Sequence, residues 1–191
     1  MGCPPDAMQT DLALATDDAP PRKLYVAVAG NIGAGKSTLT QILADTFRWS
    51  PFFESVDDNP YLSDFYEDVE IFARNLFDMG LMDGRDYENY VELFSIMVES
   101  LRPPDLLVYL RANVPTLVSH IQARGREFES SIRLDYLERL NGLYEDWIDR
   151  YPHPKLVIET DDLDFVNEDE DRYEILSRIE SRLFGLFPVE G

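Results

Sequence analysis

Eight consecutive residues, Gly30-Asn31-Ile32-Gly33-Ala34-Gly35-Lys36-Ser37, set glycines, a lysine and a hydroxyl at the spacing G-x-x-x-x-G-K-[ST]. The chemistry that spacing serves is the grip of a phosphate chain. Glycines let the backbone curl until successive N–H groups face phosphate oxygens, and a helix beginning there adds its positive end. Lys36 is then placed to reach the terminal phosphates of ATP, and the Ser37 hydroxyl to ligate a magnesium ion that bridges two of them. We expect Gly30, Asn31, Ile32, Gly33, Ala34, Gly35, Lys36, Ser37 and Thr38 to line a nucleotide site, with Ser37 as the metal ligand. The plainer reading of the same residues is a tight strand-to-helix turn that happens to contain a lysine.

Two further groups suit phosphoryl transfer. An acceptor hydroxyl needs a group to take its proton. Glu54, after Phe52 and Phe53, is the first acid following a second strand region, with Asp57 and Asp58 close behind; a solvated loop carboxylate is the alternative. Arg124-Gly125-Arg126 places two guanidinium groups around one glycine, fit to fold over a polyphosphate and stabilise charge on the transferring group. Equally, Gly125 can cap the preceding helix while Arg124 offsets its dipole. The guanine-binding sequence Asn-Lys-x-Asp is absent from the chain. The apolar run Leu106 to Leu110 leads into Arg111 where an ATPase would set a magnesium-holding aspartate, which leaves a small-molecule kinase.

The elements that must position these groups are legible as periodicity. Leu24 to Ala29 form a continuous apolar run of strand length before the glycines, and Leu39, Ile42, Leu43 and Phe47 recur at helical spacing after them. Helices are predicted at Tyr87 to Leu101, Val114 to Ala123 with Pro115 in its first turn, Leu134 to Ile148, and around Ile175 to Leu183. Leu106 to Leu110 and Leu156 to Ile158 read as buried strands. Such alternation implies an α/β fold, a P-loop kinase-like parallel sheet flanked by helices on both faces. Residues 1–22, rich in proline and acids, are predicted to be a flexible arm before a single domain over 23–191.

Composition narrows the partners. The 191 residues are 45% hydrophobic, enough for one core. They carry 37 acidic against 17 basic side chains, a net charge of -20, which repels nucleic acid and anionic lipid. The phosphates of a nucleotide therefore need a local positive pocket. With Cys3 the only cysteine, no intramolecular disulfide can form, and a reducing compartment is expected. No apolar run reaches the roughly 18–20 residues of a membrane span, and the N-terminus lacks a basic-then-apolar leader. Asp6 stands where an N-terminal lipidation signal needs Ser or Thr. A soluble, cytoplasmic protein is expected.

Beyond the phosphate loop, Asn-Pro-Tyr-Leu at 59–62, Ile-Phe-Ala-Arg-Asn-Leu at 71–76, Arg-Gly-Arg at 124–126 and Leu-Asp-Tyr-Leu-Glu-Arg-Leu at 134–140 follow in order. In these residues the chain resembles the deoxynucleoside kinase family, bacterial purine deoxynucleoside kinases in particular, from Leu24 to Leu186. The resemblance implies ATP-dependent phosphorylation of a deoxynucleoside 5'-hydroxyl. It makes Glu54 the general base, with Lys36, Arg124 and Arg126 acting on the phosphates. It further implies that Tyr66 and Glu129 contact the 3'-hydroxyl, that Phe72 stacks on the base and that Asp68 hydrogen-bonds it. Ordinary core packing is the alternative for Tyr66 and Phe72. The loop from Thr160 to about Asn167 would lie against adenine, and a homodimer would form through the helix from Tyr87 to Leu101.

Two departures from that family stand out. His120 occupies the place of a first lid arginine, so one phosphate contact is expected to be weaker or pH-dependent. About 40 further family residues are expected between Asp68 and Val69, enough for a helix and a buried strand. They would hold a base-reading glutamine and an acid-Arg-Ser motif, and neither occurs in the chain. Loss of a central strand would leave unpaired backbone groups. A chain break is therefore expected there, with alpha carbons farther apart than the roughly 3.8 Å of bonded neighbours. A genuine deletion would instead favour a non-catalytic nucleotide-binding subunit. A nucleoside monophosphate kinase would need a further arginine cluster that this acidic chain does not offer.

Overall fold

Three of the short apolar runs become strands: β1 (Val26–Gly30), β2 (Leu106–Arg111) and β3 (Lys155–Glu159). The structure, a computed structural model, describes residues 24–53, 68–98, 102–125 and 132–185. The strands pair in parallel in the order β1-β2-β3, with Gly30 opposite Leu110 and Arg111 opposite Glu159. Leu106 through Leu110 are buried without interruption, as a strand with neighbours on both edges and helices on both faces must be.

The helices are α1 (Lys36–Phe47), α2 (Arg74–Asp78), α3 (Gly84–Val98), α4 (Val114–Arg124), α5 (Leu134–Arg150) and α6 (Asp169–Phe184), and a π-helical segment (Asp68–Ala73) runs straight into α2. Alternate residues of a strand face opposite ways, and β2 divides the core accordingly. Leu106, Val108 and Leu110 pack with Leu39 and Leu43 of α1, Leu117 of α4, and Ile175 and Ile179 of α6. On the other face, Leu107 and Tyr109 pack with Ile71 and with Leu140, Tyr144, Trp147 and Ile148 of α5. There the Tyr109 and Tyr144 rings stack 6.0 Å apart. Truncating such a buried aromatic to alanine typically costs about 3–5 kcal/mol, so this face ties α5 firmly to the sheet.

Local chemistry sets the ends of α4. Asn113 accepts the Thr116 N–H at 2.9 Å, and Pro115 lies in the first turn. Gly125, in the left-handed region at φ 66°, gives its N–H to the Ile121 carbonyl. The capping role foreseen for Gly125 is therefore real, with Arg124 in the last turn.

One expectation fails. Residues 51–53 are irregular and pair with no strand, leaving Phe52 86% and Phe53 45% exposed, so the strand region expected just before Glu54 is not there. An apolar pair becomes a strand only where a sheet edge receives it. Asp68 and Val69 are consecutive in one π-helical segment. Among the described residues, no helix is long and apolar enough to cross a membrane. The predicted arm at 1–22 and the sites at Glu54, Tyr66, Arg126 and Glu129 lie outside the described residues.

Candidate phosphate-binding site

A parallel sheet opens its ligand crevice at the carboxyl ends of its strands, and here β1 ends at Gly30 and turns into α1 through residues 31–35. Gly33 and Gly35 adopt φ 88° and 97°, the left-handed region that suits glycine. A Cβ on Gly33 would lie 2.9 Å from the Leu117 carbonyl oxygen, and one on Gly35 2.9 Å from Cζ of Phe165. Conformation and space thus both demand glycine, and the loop is held against α4 on one side and the segment after β3 on the other.

The donors of this loop divide into two sets. The Ile32 N–H goes to the Asn31 side chain (2.7 Å), and the Ala34 N–H returns to the Asn31 carbonyl (3.1 Å). Both are engaged inside the loop. The first helical bond of α1 runs from the Leu39 N–H to the Gly35 carbonyl at 3.0 Å. The N–H groups of Lys36, Ser37 and Thr38 therefore precede any intrahelical acceptor and sit at the positive end of the helix. The Lys36 ammonium donates to the Gly30 carbonyl at 2.7 Å, which stations one positive charge at the loop's mouth with two of its three donors to spare. The Ser37 and Thr38 side chains are exposed on the same turn. Glycine shape, an ammonium, unused helix N–H groups and a hydroxyl together fit a polyphosphate. Among the described residues no group of three or more His, Cys, Asp and Glu forms a metal cluster. The residue expected to hold a divalent ion, Ser37, is exposed on the first turn of α1.

The surroundings complete the crevice. His120 of α4 brings Nδ1 within 3.0 Å of the Gly33 carbonyl, so in this structure it holds the loop itself. Beyond β3, Asp161 accepts the Asn113 N–H at 2.8 Å, and Arg172 donates to the carbonyls of Phe165 (3.0 Å) and Val166 (2.6 Å). These contacts fix the segment expected to face adenine. A side-chain hydrogen bond from Asn167 is the main reason the Asp164 carboxyl sits below the usual carboxylate range, and the charge of His120 is a smaller influence in the same direction. At the end of β2, Arg111 forms ion pairs with Glu145 (2.7 Å) and Glu159 (2.8 Å). Burial works against its charge, but the hydrogen bonds it donates to these two carboxylates prevail and keep the guanidinium above its ordinary value. This end of β2 is closed by the ion-pair network of Arg111 with Glu145 and Glu159.

Of the other anticipated residues, Arg124 is exposed on the last turn of α4. Phe72 is partly buried edge-on to Tyr144, with ring centroids 6.4 Å apart, so its described contact is core packing. Asp68 begins the π-helical segment. Sequence reasoning missed Phe165, although a lone aromatic in an acidic loop was a usable sign. It also missed Asn141, which nothing local marked.

A profile of the deoxynucleoside kinase family matches residues 26–70 and 66–183. The chain is 33% identical over 205 residues to the deoxyguanosine kinase of Lactobacillus johnsonii, with 83% of this chain and 92% of that protein covered. It is 30% identical over 203 residues to the deoxyadenosine/deoxycytidine kinase of Bacillus subtilis, with 84% and 94% covered. The fold is similar to that of deoxyadenosine kinase from M. mycoides with bound dCTP, at TM-score 0.68 and 26% identity, covering 82% of this chain and 98% of that one. Because 83% of 191 residues is about 159, at least about 46 of the 205 positions aligned with the Lactobacillus johnsonii protein have no counterpart here. The two matched stretches overlap at 66–70, where the same residues resemble both flanks of a missing stretch. With the family matched on both sides of that junction and a relative one-third identical over nearly all its length, the chain belongs to the deoxynucleoside kinase family.

Proposed function

We infer that this chain transfers the terminal phosphate of ATP to the 5'-hydroxyl of a deoxynucleoside, purine deoxynucleosides foremost, and so serves nucleotide salvage. The observation that carries the reading is the phosphate loop: glycines 33 and 35 in left-handed conformations, with Lys36 at the mouth, inside a chain of this family. The purine preference draws on relatives that are a deoxyguanosine kinase and a deoxyadenosine kinase.

In this reading the N–H groups of Lys36, Ser37 and Thr38 receive phosphate oxygens, and the Lys36 ammonium leaves the Gly30 carbonyl to neutralise the charge that develops on the transferring group. Magnesium, held by Ser37 and the phosphates, supplies further neutralisation when bound. The Glu54 carboxylate takes the proton as the 5'-oxygen forms its bond to phosphorus and ADP leaves. Arg124 and Arg126 close over the phosphates. Tyr66 and Glu129 hold the 3'-hydroxyl, and Phe72 and Asp68 meet the base. The enzyme acts in the cytoplasm as a homodimer.

The test is transfer from γ-labelled ATP to deoxyadenosine, deoxyguanosine and deoxycytidine, with deoxyadenosine monophosphate as a control acceptor. The parent should yield 5'-monophosphates, and Glu54→Gln should lower kcat by about a hundredfold or more, the loss typical of a general base. Transfer to the monophosphate alone would make the chain a nucleoside monophosphate kinase. Turnover of Glu54→Gln within a few-fold of the parent would remove Glu54 from the mechanism.

A further inference from the structure

Asn31 is a loop residue whose side chain turns away from the loop's mouth. It is only 2% exposed. Its Nδ2 donates to the Leu137 carbonyl (3.3 Å) and to Oδ1 of Asn141 (3.0 Å), both on α5, while its Oδ1 accepts the Ile32 N–H (2.7 Å). Asn141 in turn donates through Nδ2 to the Ala112 carbonyl at 3.2 Å, just past the end of β2. Every member has a backbone partner that fixes which end of the amide is oxygen and which nitrogen. The result is a continuous bridge from the exit of β2, across α5, to the second residue of the phosphate loop.

From this we propose that Asn141 is a positioning residue for the phosphate loop, acting through Asn31 to hold the loop in its phosphate-accepting curl. The inference rests on the function proposed above and goes beyond it, since Asn141 touches no substrate. The bridge keeps the Ile32 amide tied inward, which commits the remaining curl to the N–H groups at the start of α1. A loop without it must be ordered when the nucleotide arrives, and ordering entropy is drawn from binding free energy. The helix that supplies Asn141 also carries Tyr144 one turn on, where it meets Phe72. One rigid element thus touches both the phosphate loop and the segment expected to face the base.

The bridge and its consequence are tested separately. In the ligand-free parent, NMR-detected hydrogen exchange should be slow at the Asn31 side-chain amide and at the Ile32 N–H. Exchange at the rate of exposed amides would overturn the proposal with no variant and no nucleotide involved. For the consequence, Asn141→Leu and Asn31→Leu should each weaken ATP binding by about tenfold, and the double variant by no more than either single one, as expected of two members of one unit. In Asn141→Leu, kcat and the KM for deoxynucleoside should stay within about threefold of the parent, a split that general destabilisation would not produce. Parent-like ATP affinity in Asn141→Leu, or losses that multiply in the double variant, would overturn the role. Failure of the parent to phosphorylate any deoxynucleoside would tell against the function instead, with the exchange result still deciding the bridge.

Discussion

Gly35 and Gly142 are the same residue type under opposite constraints. Gly35 has φ 97°, and a Cβ there would meet Phe165 at 2.9 Å; Gly142 lies inside α5 with nothing within 4 Å of the place a Cβ would take. Gly35→Val should therefore lower stability by about 2–4 kcal/mol through strain and overpacking, and weaken ATP binding as well. Gly142→Ala should raise stability by about 0.5–1 kcal/mol through helix propensity. Chemical denaturation of both variants checks the pair, and equal stability of Gly35→Val and the parent would contradict the loop geometry. At this scale the sequence was legible where the pattern is local. Residues 30–37 announce themselves by spacing, whereas the partners Asn31 and Asn141 stand 110 positions apart and meet only through the fold. His120 was visible as a departure, but its bond to the Gly33 carbonyl depends on how α4 packs beside the loop.

Among the elements, the helices other than α2 and the three strands follow from apolar periodicity because each must present one face, or both, to a single core. Other features left no such trace. A π-helical segment of six residues has no periodicity to read, and Phe52 and Phe53 look like a strand until no sheet edge is there to pair them. The face of α3 is the converse case. Its expected buried face includes Tyr90 and Val91, yet these are 38% and 36% exposed within the chain, and Leu93 (55%) and Ile96 (61%) beside them are more exposed still. Such a face is what a second copy would cover. Leu93→Glu with Ile96→Glu should shift sedimentation from about twice 22.0 kDa to a single 22.0 kDa species, since burying two carboxylates at an apolar contact is strongly unfavourable. A parent that sediments as a monomer would rule out this interface.

For the molecule as a whole, the net charge of -20 opposes any bound polyphosphate. In the function proposed above, the attraction comes from a few groups placed at short range: the Lys36 ammonium, the N–H groups that open α1, and Arg124 in the last turn of α4. Two-sided helix packing over a parallel sheet was legible from composition and alternation. The partners of the junction at 68–69 were not, because at least about 46 aligned family positions lack counterparts in this chain. Asn75, seven residues beyond Asp68, is wholly buried with neither amide atom hydrogen-bonded among the described residues, a cost of about 1–3 kcal/mol in a core that otherwise satisfies its polar groups. The residues expected to face the base, Asp68 and Phe72, lie in that neighbourhood and the phosphate loop does not, so the loop's grip on a nucleotide can be tested by itself. Calorimetric titration of ATP with magnesium into the parent and into Lys36→Ala addresses it directly. The account predicts saturable binding to the parent and a loss of at least about tenfold in the variant, whereas equal affinities, or no binding to the parent, would contradict it.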